Sequence, residues 1–366
     1  MKSQNLLIVT QKMDKNDPIL GFFHGWVEEF SKNVEKLNVI CLEKGSPREM
    51  SQGDNFAEGE IISQGSYNLP KNVQVFSLGK EQNKSKLKYI WNFYKYIFKL
   101  RKEYDAVFVH MNQEYVLLAG IFWKILGKKV MLWRNHQNGS WLTNIAVDMS
   151  DVVFCTSPSS YTFKFKKTKL MPTGINVEKF MLENEPTRVS GSILSMGRIS
   201  SVKKIDVLVR ALLHLDSKGF EFKVDIVGDR DPKEPQYYDL VKELAELLVK
   251  KGKIQFKDSV PNTKTPQEYF SHELFINLTS SGSLDKTIFS AMISGDLVLV
   301  CNTFFIGVLP EQFIFKDGDV YDLSSKIKAI LEMDNFKKRK VIEEMKKYVM
   351  EKHSVSVTIK MIMNTI

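Results

Sequence analysis

The chain has 366 residues, of which 43% are hydrophobic and 26% charged, the composition of a soluble protein of about two domains. This composition excludes long disorder, collagen-like repeats and small disulfide frameworks. The longest strongly apolar run, Tyr115–Trp123, is far shorter than the roughly 18 residues that a membrane-spanning helix needs. The net charge of +9 favours an anionic partner: nucleic acid, a nucleotide-linked substrate or an acidic membrane surface.

The N-terminal segment and the cysteines favour a cytoplasmic protein. The apolar run Leu6–Thr10 is too short for the apolar region of a secretory signal. Cys41, Cys155 and Cys301 lie in or at the end of strand-like runs and have no C-x-x-C spacing. We therefore expect three small core residues, without a disulfide or a metal cluster.

Short β-branched runs alternate with helix-length segments, which is typical of an α/β protein with parallel sheets. The polar segment Glu178–Gly191 has no strand or helix period and predicts an interdomain linker. Two doubly wound, Rossmann-like domains follow, at residues 1–180 and 181–345. Ligands of such sheets bind beyond the C-terminal ends of the strands, so two domains that face each other place these loops along a cleft. The predicted strands are residues 6–10, 39–42, 73–77, 106–110, 130–133, 152–155, 193–196, 223–227, 254–256, 274–278 and 297–301.

The most informative loop follows the first strand of the second domain. That strand ends at Gly197, and Arg198 and Lys203 flank the loop before a helix whose apolar positions begin at Ile205. A guanidinium, an ammonium and a helix N-terminus together can hold a diphosphate. A solvated basic loop explains the same spacing, and the residues alone do not choose between the two.

This stretch is similar to the GR…K signature of glycosyltransferase family 4, a retaining family with the GT-B fold. Met171–Phe180 resembles the P-x-G-[IV]-[DN]…F segment that ends the family's first domain, and Phe256–Pro261 resembles its strand and turn beside the donor base. Ala291–Val300 resembles the EAMA-x-G-x-P-V-V run. The resemblance implies a nucleotide-sugar donor bound mainly by the second domain, an acceptor bound by the first, and no required cofactor or metal. It also implies a C-terminal helix, about 346–366, that packs back on the first domain.

The resemblance assigns catalytic roles to three residues. Arg198 and Lys203 would neutralise the diphosphate as the bond to the leaving group breaks. His110 opens a segment, His110–Asn112, that resembles the family's H-x-P turn, where the histidine lies near the transferred hexose. Without the resemblance, a histidine at a strand end is more typical of a structural residue.

Three further residues of the first domain are candidates for the cleft. Gly21, on the donor side, and His24, on the acceptor side, fall between the first strand and the first helix, where the family has a glycine-containing loop close to both substrates. His136 follows the fifth strand and can line the acceptor side, although a core or surface role explains it equally well.

The sequence departs from the family at its paired glutamates. These positions are Gly282 and Ser290 here, and Ser280–Lys286 resembles an S-x-G-S-x-D-K variant of the motif. In this segment, we expect the backbone amides of Gly282–Leu284 and the side chains of Lys286 and Ser290, on the helix that follows, to bind the donor. A structural interpretation is also open: Ser283 caps the helix and Asp285 favours its first turn. The donor-binding candidates are Gly21, Gly197, Gly282, Ser283, Leu284, Lys286 and Ser290.

Two other patterns admit a functional and a structural interpretation. Asp229-Arg230-Asp231 matches the metal-binding D-x-D pattern, but its place after a strand favours an ordinary turn. Residues 84–104 interleave aromatic and basic side chains, which suits an acidic membrane surface and a lipid-linked acceptor. A core helix whose lysines point outward fits the same pattern, and no recognition fold supports binding of nucleic acid.

These patterns predict a cytoplasmic hexosyltransferase, peripheral at the inner membrane surface, that uses a nucleoside-diphosphate sugar and a glycan or lipid-linked acceptor. The expected pathway is synthesis of a cell-surface polysaccharide or glycolipid. One alternative is a noncatalytic sugar-binding or partner subunit of the same fold, since both glutamates are replaced. A second is a nucleotide-sugar epimerase of GT-B architecture, which would need acid and base carboxylates that the sequence does not identify.

Overall fold

The computed structural model describes residues 4–45, 69–181, 188–282 and 284–366. The chain divides into two compact units. The first contains Met1–Met171 and Thr358–Ile366, and the second contains Pro172–Val357. Each unit has its own parallel sheet and its own apolar core.

The first unit is built on a seven-stranded parallel sheet in the order β3-β2-β1-β4-β5-β6-β7. Its central strands are continuous apolar runs because helices cover both faces of a parallel sheet, and Leu6 to Val9 are fully buried. Its strands are β1 (Leu6–Met13), β2 (Leu37–Lys44), β3 (Val73–Ser77), β4 (Ala106–His110), β5 (Lys129–Trp133), β6 (Val152–Cys155) and β7 (Thr168–Leu170). Its helices in this part of the chain are α1 (Phe22–Ser31), α2 (Lys86–Lys99), α3 (Glu114–Ile125) and α4 (Trp141–Met149).

The second unit has a five-stranded parallel sheet in the order β10-β9-β8-β11-β12. The apolar positions that recur at helical spacing in α5 face this core: Ile205, Leu208, Val209 and Leu212 are buried, and Leu213 is partly buried. Its strands are β8 (Ser192–Met196), β9 (Lys223–Val227), β10 (Ile254–Lys257), β11 (Leu274–Asn277) and β12 (Leu297–Val300). Its helices are α5 (Ile205–Ser217), α6 (Pro235–Lys250), α7 (Thr265–Phe270), α8 (Lys286–Ser294), α9 (Val320–Leu331) and α10 (Asn335–Tyr348).

All eleven predicted strands are present, and the predicted cysteines are buried core residues. One strand, β7, is not among the predicted strands, because this edge strand has three residues and its Lys169 and Leu170 are exposed. The first helix begins earlier than expected, at Phe22, so His24 lies inside α1 and not in the loop before it. The reason is that Phe23, Trp26, Val27 and Phe30 recur at helical spacing and are all buried.

The chain enters and leaves the second unit at one place. Ile175 and Ser354 form a parallel bridge. The Ile175 amide donates to the His353 carbonyl at 2.7 Å, and the Val355 amide donates to the Ile175 carbonyl at 2.7 Å. After α10 the chain makes a π-helical turn, Val349–His353, and α11 (Val355–Met363), and its last nine residues belong to the first unit.

The described ends of the predicted linker pack on the second unit. Phe180, in the 3₁₀ helix Val177–Phe180, is buried with its ring 6.0 Å from that of Tyr269. Arg188 forms an ion pair with the buried Asp296. Residues 182–187, which include Pro186, lie outside the described residues.

Candidate functional site

The loop after β8 is held close to the loop after β9 by two glycines. The Gly197 amide donates to the Val227 carbonyl at 2.9 Å, and a Cβ atom on Gly228 would lie 2.1 Å from the Gly197 carbonyl oxygen. Gly197 and Gly228 have φ values of 138° and 150°, which side chains strongly disfavour. This close approach fixes the start of the loop that carries the two candidate cations.

Arg198 is the first of these cations and is largely exposed. Its Nη1 atom lies 3.3 Å from Oδ2 of Asp231, and 55% of its side chain is accessible to solvent. Asp231 is buried, and its Oδ1 atom accepts a hydrogen bond from the Lys233 amide at 2.9 Å. Asp231 therefore orients the guanidinium from one side and leaves most of it in solvent.

The D-x-D pattern belongs to this same turn. The carboxylate of Asp229 accepts hydrogen bonds from the amide and hydroxyl of Ser259, at 3.0 and 2.6 Å. Since Asp231 binds Arg198, the two carboxylates have separate partners, which agrees with a turn. In the described part of the chain, no group of three or more His, Cys, Asp or Glu side chains could hold a metal ion.

Lys203 ends the short 3₁₀ helix Ser201–Lys203 and points at the loop after β11. Its ammonium forms an ion pair with Asp285 and donates to the Thr279 hydroxyl at 3.1 Å. β8 and β11 are neighbours in the sheet, so their C-terminal loops meet at one edge. The structure thus brings Lys203 together with the segment that contains Gly282 and Lys286.

Asp285 connects this ion pair to helix α8. Its Oδ1 atom accepts from the Thr287 amide at 3.1 Å, and its Oδ2 atom accepts from Asn277 Nδ2 at 2.9 Å as well as from Lys203. Burial alone would raise the pKa of Asp285, but the Lys203 charge and these hydrogen bonds lower it to about 2. The carboxylate is therefore ionised at neutral pH.

The N-cap of α8 is Asp285, which corrects the expectation that Ser283 caps this helix. Both residue types cap well, and the choice depends on where the backbone turns into the helix, which here is after Asp285. Ser283 itself lies outside the described residues.

The other donor-binding candidates lie around this cap. Gly282 has a φ of 113°, and Leu284 packs its partly buried side chain on the core of the second unit. Lys286 is the first residue of α8, and burial lowers its pKa well below the usual value for lysine. Ser290, one turn further along the helix, lies beside the buried Tyr269; burial raises the pKa of the Tyr269 phenol well above its usual value, and the Ser290 side chain acts to lower it.

A second set of contacts fixes the loop after β11 from the other side. The Ser281 hydroxyl accepts from the Thr303 amide at 2.9 Å. Lys204, with a positive φ of 48°, forms an ion pair with Asp317 at 2.6 Å. Partial burial would raise the pKa of Asp317, but Lys204 and the nearby Ser280 side chain lower it below its usual value.

Three residues of this site, Asn277, Thr279 and the Arg198 partner Asp231, are not among the site residues predicted from the sequence. One signal was available: Asn277 and Thr279 are polar residues at the C-terminal end of a buried strand, where α/β sheets bind ligands. Residue spacing does not predict which side chains they contact, namely Asp285 for Asn277 and Lys203 for Thr279.

The candidates of the first unit fall in two places. His110 is buried, its ring stacks on Phe23 with centroids 4.0 Å apart, and its Nδ1 atom lies 3.2 Å from the Thr10 hydroxyl. His24 is also buried, 3.3 Å from the Glu28 carboxylate, two residues after the helix start that follows Gly21.

His136 lies apart from that group, on the exposed loop after β5. The Asn138 amide donates to its Nδ1 atom at 3.0 Å. The local fold therefore gathers Gly21, His24 and His110 through α1 and β4, and does not join His136 to them.

The region that contains Lys203 resembles a known protein family. Residues 190–333 match the model of the family described as Glycosyl transferases group 1. None of the curated proteins that were compared with the chain is a significant match.

Solved structures resemble the whole chain at low sequence identity. HepE of Anabaena, in complex with UDP and glucose, is 15% identical with a TM-score of 0.70, and the match covers 99% of each chain. A glycosyltransferase from Rickettsia africae is 16% identical with a TM-score of 0.73, over 99% of this chain and 97% of that one. Sucrose-phosphate synthase from Thermosynechococcus elongatus is 14% identical with a TM-score of 0.69, over 99% and 98%. These matches confirm the predicted GT-B fold class.

Proposed function

We propose that the protein is a retaining glycosyltransferase that moves a hexose from a nucleoside-diphosphate sugar to a glycan or lipid-linked acceptor, in the synthesis of a cell-surface polysaccharide or glycolipid. The match of residues 190–333 to a glycosyltransferase family supports the reaction class. The UDP-glucose complex of HepE, which has a similar fold, supports a nucleotide-sugar donor. The GR…K stretch supports placement in family 4.

The observation that carries the proposal is the position of Arg198 and Lys203. Both follow β8 at the C-terminal edge of the second sheet, and Lys203 reaches the N-terminal end of α8. An ammonium has three donor hydrogens, and the described contacts with Asp285 and Thr279 use two of them. The third can donate to a phosphate oxygen while Asp285 holds the side chain in place.

In the proposed reaction, negative charge develops on the leaving diphosphate, beside Arg198 and Lys203. The bond between the sugar C1 and the diphosphate oxygen breaks, the acceptor oxygen bonds to C1 from the same side, and the leaving phosphate takes the acceptor proton. Arg198 and Lys203 stabilise the negative charge that develops on the diphosphate. Each charge-assisted hydrogen bond contributes about 1.5 to 3 kcal/mol, roughly tenfold to over a hundredfold in rate. Because the leaving group is the base, the reaction needs no carboxylate at Gly282 or Ser290 and no resident cofactor.

The first unit would bind the acceptor. His110, beside α1, is proposed to lie near the transferred hexose, with Gly21 on the donor side and His24 and His136 on the acceptor side. The proposal includes the predicted cytoplasmic location and the contact of residues 84–104 with an acidic membrane surface.

The test is thermal unfolding of the wild type and of Lys203→Ala with nucleoside diphosphates and nucleotide sugars. A ligand at about 100 times its dissociation constant stabilises the folded protein by roughly 2.7 kcal/mol. Lys251→Ala is the matched control, because it removes a lysine that pairs with an aspartate, Asp216, elsewhere in the same unit. We expect stabilisation of the wild type and the control, and a much smaller effect in Lys203→Ala. Absence of stabilisation by any of these ligands contradicts the donor site.

A second candidate function is a noncatalytic sugar-binding or partner subunit. It is favoured by the absence of a carboxylate at Gly282 and Ser290, the positions of the family's paired glutamates. Glycan binding without release of nucleoside diphosphate would support it. Isomerisation of a nucleotide sugar without an acceptor would instead identify an epimerase.

A further inference from the structure

Two helices of the first unit carry exposed apolar stripes. On α2 the stripe is Leu87, Trp91 and Phe98, which are 80%, 66% and 48% exposed and recur at intervals of four and seven residues. On α3 it is Leu118, Ile121 and Ile125, of which Ile121 and Ile125 are 61% and 78% exposed. Residues at these intervals share one face of a helix. Each helix therefore has one face for the core and a second apolar face in solvent.

The two stripes adjoin each other. The Tyr94 hydroxyl on α2 donates to the Leu118 carbonyl on α3 at 2.9 Å. The rings of Phe98 and Phe122 lie 4.5 Å apart. The core side of α2 is separate, since Phe93 and Ile97 are buried against the sheet. We call the six residues of the two stripes the α2–α3 face.

The α2 side of the α2–α3 face is strongly basic, whereas α3 contributes one lysine, Lys124, and one glutamate, Glu114. Residues 84–104 contain seven lysine or arginine residues and one acidic residue, Glu103, whose carboxylate pairs with Lys36 at 2.5 Å. Lys124, on α3 between Ile121 and Ile125, is also exposed. The exposed basic residues on α2 are Lys86, Lys88, Lys95 and Lys99.

We propose that the α2–α3 face is a docking surface for an anionic lipid bilayer. Apolar side chains that include a tryptophan, surrounded by lysines, match the acyl boundary and the charged headgroups of such a surface. A second copy of the chain fits poorly, because a two-fold interface would place the same basic border on both sides. This surface rests on the membrane contact of residues 84–104 in the proposed function and adds a second helix, α3, to it. Vesicle binding is measured separately from transferase activity, so either can fail without the other.

The experiment is sedimentation of the full-length protein with vesicles. One set is phosphatidylcholine alone, and the other contains roughly one third phosphatidylglycerol, which gives the surface its negative potential. We expect binding to the anionic vesicles that weakens with added salt, and little binding to the neutral ones. Absence of binding to the anionic vesicles at low salt overturns the proposal.

Two variants test the two components of the surface. Trp91→Ser with Ile121→Ser removes one exposed apolar residue from each helix and should lower binding at least about tenfold, since each removed side chain inserts into the bilayer. Lys88→Gln, Lys95→Gln and Lys124→Gln together should lower it by about a hundredfold, at about fivefold for each lysine.

A matched control separates this surface from general hydrophobicity. Leu247→Ser with Phe336→Ser removes two exposed apolar residues of the second unit, which are 53% and 71% exposed. This control should bind vesicles like the wild type, and an equal loss in the control overturns the proposal. So does sedimentation of the wild type as a dimer that Trp91→Ser with Ile121→Ser dissociates. All substituted residues are exposed, and thermal unfolding verifies that each variant is folded.

Discussion

Lys203 and Asp285 form an ion pair across 82 residues of sequence, and Asp285 also caps helix α8. One carboxylate therefore holds both the cation proposed to bind a diphosphate and the helix N-terminus beside it. Because the side chain of Asp285 is only 14% exposed, solvent screens this pair weakly.

The first prediction concerns the pH dependence of this pair. The pKa of Asp285 is lowered from 3.8 to about 2, so the unfolded state binds its proton first as the pH falls. The pair's contribution, about 2 kcal/mol, is present above pH ~4 and is lost as the pH falls towards 2. Asp285→Asn keeps the cap but removes the charge. Chemical unfolding should show a stability difference from the wild type at pH 7 that narrows between about pH 4 and pH 2, and a constant difference would refute this role.

The second prediction contrasts the two cations. Lys203→Met leaves the Asp285 carboxylate without its charged partner and should cost about 2 kcal/mol of unfolding free energy. Arg198→Met removes a pair whose guanidinium is largely in solvent and should cost less than about 1 kcal/mol. Both should weaken nucleoside-diphosphate binding by a similar factor, measured by calorimetry. Equal losses of stability would mean that burial does not distinguish the two pairs.

The third prediction tests the close approach of β8 and β9. Gly228→Ala places a Cβ atom 2.1 Å from a backbone oxygen and should cost more than about 3 kcal/mol, or prevent folding. Gly252→Ala is the control: it also has a positive φ, 68°, but no atom within 4 Å of the new Cβ, so we expect a loss of about 1 kcal/mol. Thermal midpoints and soluble yields give the comparison. Similar effects in both variants would assign the cost to φ alone.

The fourth prediction concerns Ser290 and Tyr269. Ser290→Ala removes the hydroxyl beside the buried Tyr269 phenol and should cost about 1 kcal/mol of unfolding free energy. Tyr269→Phe in the same background should recover part of that loss, because no buried hydroxyl remains. A double-mutant cycle measures the coupling. A coupling energy near zero would show that Ser290 is available to other partners.

The fifth prediction concerns His353, beside the place where the chain leaves the second unit. Its ring is buried, stacks on Phe289 at 4.3 Å and lies 3.2 Å from the Tyr348 hydroxyl. Burial lowers the pKa of His353 to about 4, so between pH 6.5 and 4 the unfolded state binds its proton and the folded state does not. Stability should therefore fall by about 3 kcal/mol as the pH decreases across this window. In His353→Gln this part of the pH dependence should disappear; if it persists, another group is responsible.

The sequence predicted the elements of the fold better than the contacts of the site. Strands β1 and β4 begin as apolar runs, Leu6–Val9 and Ala106–Val109, so their position follows from the hydrophobic pattern. β7 has no such pattern because an edge strand of three residues buries little. The start of α1 also had no capping signal in the sequence, because its N-cap residue is Gly21, which has no side chain to accept a hydrogen bond from the helix.

Within the site, the sequence placed Lys203 and Ser280–Lys286 at one edge of a sheet but not in contact. Spacing gives the strand end at which a residue lies, whereas the Lys203–Asp285 pair depends on side-chain conformations set by Asn277 and Thr279. The aromatic pattern of residues 84–104 was ambiguous for a related reason. Phe93 and Ile97 are buried in the core, whereas Trp91 and Phe98 are exposed. Because apolar residues lie on both faces of α2, the helical period alone does not show which face is buried.

The second unit is an insertion in the chain of the first, and the bridge between Ile175 and Ser354 joins the two ends of this insertion. Residues 172–357 begin and end side by side, joined by two backbone hydrogen bonds of 2.7 Å. A continuous gene fragment therefore encodes a complete sheet with its helices, and its termini are already adjacent. The same proximity makes this unit a natural module for circular permutation or for exchange between related chains, because a cut there separates no strand from its neighbours.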